Sequence, residues 1–144
     1  MRRTRSITIE GARSEVPGHR DDGKTFIVTE MPADQAERWA LRAILALGNA
    51  GIEVPENLEE AGFAGLAMLG YQALNRLRFE DAESLLDEMM LCVQYQHAPN
   101  QPLQKIYAGE ESQIEEVKTR LILRKAVFEL HTDFLLAGAK STSA

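Results

Sequence analysis

The segment of the chain most suggestive of chemistry is Gly18–Thr25, which matches the phosphate-binding pattern G-x-x-x-x-G-K-[ST]. A working phosphate loop opens directly into a helix whose N–H groups face the phosphates. Here Lys24 is followed by Thr25–Thr29, a β-branched and aromatic run that favours a strand. Asp21 and Asp22 would also repel a bound anion. We therefore interpret the motif as a glycine-punctuated hairpin loop and expect no nucleotide cofactor.

The side chains that could act as nucleophiles or metal ligands are few and scattered. Cys92 is the sole cysteine, and its hydrophobic helical setting predicts a buried thiol rather than a nucleophile. His19 and His97 lie in predicted loops and should be solvated, whereas His131 lies beside an apolar helical line and should be hydrogen-bonded. No metal-ligand spacing and no hydrolase motif occurs in the sequence. The sequence thus predicts no catalytic residue, no metal site and no enzyme.

Length and charge limit the class of protein further. With 144 residues, 44% of them hydrophobic, the chain suits one globular domain, which we place at residues 1–144. A net charge of −6 argues against a nucleic-acid partner. The chain has neither a long apolar run nor a signal peptide, so we expect a cytoplasmic protein without a membrane segment.

The first thirty residues carry the strand-like patterns. Ser6–Ile9 and Lys24–Glu30 alternate polar and apolar residues, which predicts a two-stranded antiparallel β-hairpin over residues 1–30. Residues 11–23, rich in glycine and charge, are predicted to form its mobile tip. An exposed strand edge is a template for a second chain. We therefore expect self-association through the apolar side chains of the hairpin, namely Ile7, Ile9, Phe26 and Val28.

The remainder is predicted to be helical, so the expected fold is mainly α. Apolar periodicity indicates a compact bundle of about four helices over residues 31–137, followed by a frayed tail at 138–144. The predicted helices begin and end near Pro32 and Leu47, Leu58 and Leu77, Asp81 and Val93, and Glu110 and Leu136. Gln94–Pro102 reads as a loop because prolines interrupt it.

Two helical features allow either a core role or a binding role. Small residues between Leu58 and Leu77 suit close packing inside the monomer or docking of another chain. The Met89/Met90 pair suits core filling or an adaptable binding surface. As candidate partner-binding residues we take that pair with nearby and C-terminal apolar side chains: Met89, Met90, Val93, Phe128, Phe134 and Leu135.

The order of these features resembles a known protein family. An Ile7-Thr8-Ile9-Glu10-Gly11 strand precedes Gly23–Ala33, and the helical segments Ala36–Ala43 and Ala82–Glu88 follow. A terminal helix ends in Leu130–Phe134. This arrangement over about Ile7 to Leu136 is similar to the tail assembly chaperones of long-tailed, siphovirus-like bacteriophages.

The resemblance implies a protein-binding function. Members of that family bind the tape-measure protein, a long helical chain with apolar faces, and keep it soluble until tail-tube subunits assemble around it. They act in the host cytoplasm and are absent from the finished virion. The family has no catalytic residues to carry over. A structural or regulatory adaptor of phage or bacterial origin with another protein client is the alternative.

Overall fold

The computed structural model describes residues 2–10, 20–52, 66 and 69–142, with side chains up to Asp133. Four strands and three α-helices carry most of the described chain. In chain order these elements are β1 (Thr4–Thr8), β2 (Thr25–Thr29), α1 (Ala33–Asn49), a 3-10 helix (Tyr71–Arg76), α2 (Phe79–Met90), β3 (Val93–Gln96), β4 (Gln104–Lys105), a 3-10 turn (Gly109–Glu111) and α3 (Val117–Thr142).

The predicted mainly α bundle with a two-stranded hairpin is wrong. β1 pairs antiparallel with β2 as expected, but β2 also pairs with β3 and β3 with β4, giving a four-stranded antiparallel sheet in the order β1-β2-β3-β4. The protein therefore has a mixed fold in which helices pack on a sheet. The predicted hairpin, β1 with β2, contributes the first half of that sheet.

The error lies in the segment that follows α2. Val93 was assigned to a helix and Gln94–Pro102 to a loop, yet Val93–Gln96 is a strand and the prolines lie in the connection to β4. Val93-Gln94-Tyr95-Gln96 does alternate apolar and polar residues, which is the strand period. Such a short strand takes its stability from pairing with β2. The helical periodicity of the preceding residues gives no sign of that pairing.

The two faces of the sheet differ in composition. On the inner face, Phe26 lies between Ile7 and Tyr95, and Val28 lies between Arg5 and Val93. Phe26 and Val28 are fully buried, and α3 packs against β1 and β2 on this side. The outer face is mainly threonine, serine and glutamine. The inner face thus joins the helices in one hydrophobic core.

Helix α1 is confirmed close to its predicted bounds and anchors that core. Its buried residues follow the helical period: Ala36, Trp39, Ala40, Ala43, Ile44 and Leu47. The Trp39 Nε1–H donates to the Leu85 carbonyl oxygen of α2 at 3.1 Å. Trp39 is an anchor of the core, since only 2% of it is exposed.

Half of the predicted helix between Leu58 and Leu77, residues 58–65 and 67–68, lies outside the described residues. Its end differs from the prediction: Gly70 has φ +83, and Tyr71–Arg76 forms a 3-10 helix. Only glycine adopts that φ freely, so an α-helix ends there. Helix α3 continues to Thr142, past the predicted end at Leu136. Among the described residues, no helix combines the length and apolarity needed to cross a membrane.

Candidate partner-binding site

The phosphate-loop motif contributes a structural contact instead of a nucleotide cradle. The predicted strand after Lys24 is confirmed as β2, so no helix begins there. Arg20 to Gly23 form a tight turn that requires glycine at Gly23, where φ is +84. Residues 11–19 of the predicted tip lie outside the described residues. The described part of the tip, Arg20 to Gly23, is packed against the N-terminal end of α3.

Asp21 is the centre of this contact, and only 1% of it is exposed. Its carboxylate accepts the N–H groups of Glu115 and Glu116 at 3.0 and 2.9 Å, and the Thr119 hydroxyl at 2.6 Å. These groups lie at the N-terminal end of α3, where N–H groups lack helical partners and the helix dipole favours a negative charge. Asp21 therefore caps α3 from a distant part of the chain.

Two basic side chains complete this contact, which we call the Asp21 cap. Lys24 Nζ donates to Asp21 Oδ1 at 2.9 Å and to the Gln113 carbonyl oxygen at 2.7 Å. Arg20 Nη2 donates to the Glu115 carbonyl oxygen at 2.8 Å, and Arg20 forms an ion pair with Glu116. Burial opposes ionisation of Asp21, but the hydrogen bonds outweigh it and lower its pKa to about 2. The carboxylate is therefore charged and fully engaged.

His131 is buried and hydrogen-bonded, as predicted. Its Nε2 accepts the Met31 N–H at 2.9 Å, and its Nδ1 lies 2.8 Å from the Val127 carbonyl oxygen. These contacts fix the neutral tautomer with the proton on Nδ1. Burial lowers the pKa of His131, which the Val127 carbonyl only partly offsets. The imidazole links the start of α1 to the middle of α3, and both of its nitrogens are engaged in hydrogen bonds.

The other reactive groups are also in structural settings. Cys92 is a buried free thiol, as predicted, and burial together with the nearby Glu88 raises its pKa to about 11. A thiol that stays protonated is a poor nucleophile. His97 is exposed, as predicted, while His19 lies outside the described residues. Within the described chain, no group of His, Cys, Asp and Glu side chains is arranged to hold a metal ion.

The residues predicted to bind a partner are mostly core residues. Met89, Met90, Val93 and Phe128 are all buried, with at most 8% of each exposed. Phe134 and Leu135 lie in α3, but their side chains lie outside the described residues. The residues predicted for self-association are also internal: Ile9, Phe26 and Val28 are buried and Ile7 is half-buried. The burial of these side chains agrees with a core role. A surface that can bind a partner must therefore be formed mainly by other residues.

A groove with apolar lining lies between the 3-10 helix at Tyr71–Arg76 and α3. Its volume is about 680 Å³. Tyr71, Leu121, Ile122 and Phe128 supply its apolar lining, and Lys125, Glu129 and Asp133 supply charge. We call this surface the α3 groove.

The apolar side chains of α3 explain why the groove exists. Leu123, Val127 and Leu130 form the line that packs into the core. A neighbouring apolar stretch of α3 is not fully covered: Val117 is 72% exposed and Leu121 49% exposed, one helical turn apart. Ile122, 38% exposed, ends this uncovered stretch.

A second depression, of about 520 Å³, lies where α1 begins and α2 ends. Met31, Met90 and Ile106 contribute apolar surface to it, and Arg2 and Lys105 contribute positive charge. Of the predicted partner-binding residues, Met90 and Val93 line this cleft. Both are nevertheless buried in the core, so the cleft offers a partner less apolar surface than the α3 groove.

Sequence reasoning missed both the Asp21 cap and the α3 groove. Asp21 pairs with residues about a hundred positions away, and its own neighbours in sequence carry no sign of that contact.

Comparisons of the chain with protein-family models, with curated proteins and with solved structures gave no significant match.

Proposed function

We propose that this protein is a tail assembly chaperone of a long-tailed bacteriophage. In this proposal it binds the tape-measure protein in the host cytoplasm, keeps it soluble and helps to recruit tail-tube subunits, and it is absent from the mature virion. The order of sequence features from Ile7 to Leu136 supports the family. The observation that carries the binding function is the uncovered apolar stretch of α3 beside the α3 groove.

The α3 groove suits a helical client. Val117 and Leu121 are exposed one turn apart, and Ile122 widens the same surface. An apolar stripe on one helix packs against the apolar stripe of another, and helix-in-groove contact is a common mode of peptide recognition. From Val117 to Ile122 the exposed stretch extends about 8 Å at the helical rise of about 1.5 Å per residue. A client helix of about two turns would cover it.

A tape-measure protein matches these requirements because it is long, helical and rich in apolar faces. Exposed apolar surface on that scale makes a protein aggregate unless it is covered. Many copies of a small binder, each covering a few helical turns, gain strength from multivalency. The surface charge around the groove is mixed, because Lys125 lies between Glu129 and the exposed Leu121 along α3. The groove therefore accepts helices of varied sequence.

Co-expression with a candidate tape-measure protein tests the proposal. We expect that client to be insoluble alone and soluble in complex with the wild-type protein. Leu121→Glu places a charge in the α3 groove and should lower client affinity at least about tenfold. Leu45→Glu is the matched control, because Leu45 is 50% exposed on α1 and lies outside the groove lining.

The outcomes separate the function from the site. A client that neither becomes soluble nor co-purifies with the wild-type protein contradicts the chaperone function. If the client is retained equally by Leu121→Glu and Leu45→Glu, the chaperone function stands and the α3 groove is not its binding site.

A further inference from the structure

The β1 edge of the sheet is not paired with any strand in the part of the chain that the structure describes. In the strand order β1-β2-β3-β4 the two edges are β1 and β4. β4 is two residues long, whereas β1 has five. Proteins protect sheet edges with short strands, charged side chains, proline or bulges. β4 is protected by its shortness. β1 contains neither proline nor lysine, and its one charged side chain, Arg5, is paired with Glu129 and Asp133 of α3.

The hydrogen bonds on either side of β1 show which of its backbone groups face outward. Ile9 N–H donates to the Lys24 carbonyl oxygen at 2.9 Å, and Glu30 N–H donates to the Arg3 carbonyl oxygen at 2.9 Å. Backbone direction alternates along a strand, so the odd-numbered residues of β1 bond to β2 and the even-numbered ones face away. The outward N–H and C=O groups belong to Thr4, Ser6 and Thr8, and they have no hydrogen-bond partner among the described residues.

We propose that β1 pairs antiparallel with β1 of a second copy of this chain, about a two-fold axis at Ser6. In this register Thr4 faces Thr8 of the second copy, Ser6 faces Ser6, and Thr8 faces Thr4. Every outward N–H and C=O group then meets a complementary group, because the pattern reads the same from both copies. The result is a continuous eight-stranded sheet across the dimer.

The side chains of β1 suit a second copy in this register. On the outer face the pairs are threonine with threonine and serine with serine, which are favourable cross-strand neighbours. On the inner face Arg5 faces Ile7 of the second copy, so the two Arg5 charges are not directly opposed. Arg5 keeps its own partners, Asp133 at 3.3 Å and Glu129 at 3.8 Å on α3. The half-buried Ile7 gains cover from the added strand.

This pairing replaces the side-chain contacts predicted from sequence for self-association. Ile9, Phe26 and Val28 are buried within one copy and are not available to a second. Backbone groups of β1, with hydroxyl side chains beside them, take their place. The inference does not depend on the proposed chaperone function.

Light scattering after size-exclusion chromatography of the full chain tests the dimer. We expect the wild-type mass to rise from monomer to dimer with concentration. Ser6→Lys places two lysines opposite each other and should weaken the dimer at least about tenfold. Gln96→Lys is the matched control, because it adds the same charge to the outer face of β3, away from the edge. A wild-type protein that stays monomeric up to millimolar concentration, or a dimer that Ser6→Lys leaves intact, overturns the proposal.

Disulfide cross-linking tests the register independently of how well the lysine variant folds. In a Cys92→Ala background, Ser6→Cys should form an intermolecular disulfide under mild oxidation, since Cα atoms of paired residues lie about 5.5 Å apart. Thr4→Cys alone should not cross-link, because its neighbour is Thr8, whereas Thr4→Cys combined with Thr8→Cys should. Cross-linking of Thr4→Cys alone, with none for Ser6→Cys, would show that the strands pair in another register.

Discussion

Asp21 illustrates how one residue joins distant parts of the chain. Its buried carboxylate holds two backbone N–H groups, a hydroxyl and an ammonium group. Asp21→Asn removes the charge and leaves some of these donors without an acceptor, so it should lower the free energy of unfolding by about 2–4 kcal/mol. Urea denaturation at neutral pH measures this change.

The matched control for the Asp21 cap is Glu37→Gln, which makes the same acid-to-amide change at an exposed position of α1. We expect a change within about 0.5 kcal/mol there. Equal effects of the two substitutions would mean that the cap contributes nothing particular to stability.

His131 gives the protein a pH dependence of defined sign. Its pKa is lowered in the folded state by burial, so unfolded chains bind the proton more readily than folded ones. Stability is therefore full above the unfolded pKa of about 6.5 and falls as the pH drops below it. His131→Gln should flatten the decline between about pH 7 and about pH 5, measured by urea denaturation. His97→Gln, at an exposed histidine, should leave the decline unchanged, and the opposite pattern would contradict this assignment.

The chemistry of single residues was only partly predictable from sequence. The strand after Lys24, the buried Cys92 thiol and the hydrogen-bonded His131 followed from local pattern, because β-branched runs and helical periodicity are local properties. The cap by Asp21 did not, because its partners are brought to it by tertiary structure. An aspartate beside a glycine turn reads as a loop residue unless the fold is known.

At the level of elements, Gln113 holds the weakest strand in place. Its Oε1 accepts the Tyr107 N–H at 3.0 Å, and its Nε2 donates to the Lys105 carbonyl oxygen at 2.9 Å. Gln113→Ala should lower the free energy of unfolding by about 1–2 kcal/mol and speed amide exchange at Tyr107. The reason is that β4 is too short to be stable without these hydrogen bonds. Hydrogen exchange followed by NMR measures this. Gln101→Ala, in the exposed β3–β4 connection, should leave that exchange rate unchanged, and equal rates in all three proteins would argue against the bridge.

Elements with many apolar residues at a fixed period were predicted well, and short paired strands were not. Helix α1 matched its expected bounds because Trp39, Ala43 and Leu47 mark one face. Strands β3 and β4 were missed because two to four residues carry too little periodic signal to outweigh neighbouring prolines. For the binding surface, the local pattern does not show which apolar residues of α3 stay exposed, because that depends on how the helix packs in the fold.

The buried apolar residues of the described chain form one core, and this predicts cooperative unfolding. Phe26 of the sheet, Trp39 of α1 and Val127 of α3 belong to the same buried cluster. The fluorescence of the sole tryptophan and the far-UV circular dichroism should therefore give coincident urea transitions. If the fluorescence changed at lower urea than the circular dichroism, α1 would be a separately melting unit and the single-core description would fail.

The neighbours of β2 reach it at different times during translation. β1 is available as soon as the hairpin leaves the ribosome, but β3 follows only after α1 and α2 have been made. Until Val93 emerges, the nascent hairpin has two unpaired sides, the state in which incomplete chains most readily associate wrongly. The hydrogen bond between Asp21 and Thr119 forms later still, because Thr119 is synthesised after β3. Docking of α3 against the Arg20–Gly23 turn is therefore possible only after the strands and the other two α-helices have been made. Chains released before Thr119 would lack the contact that secures the turn.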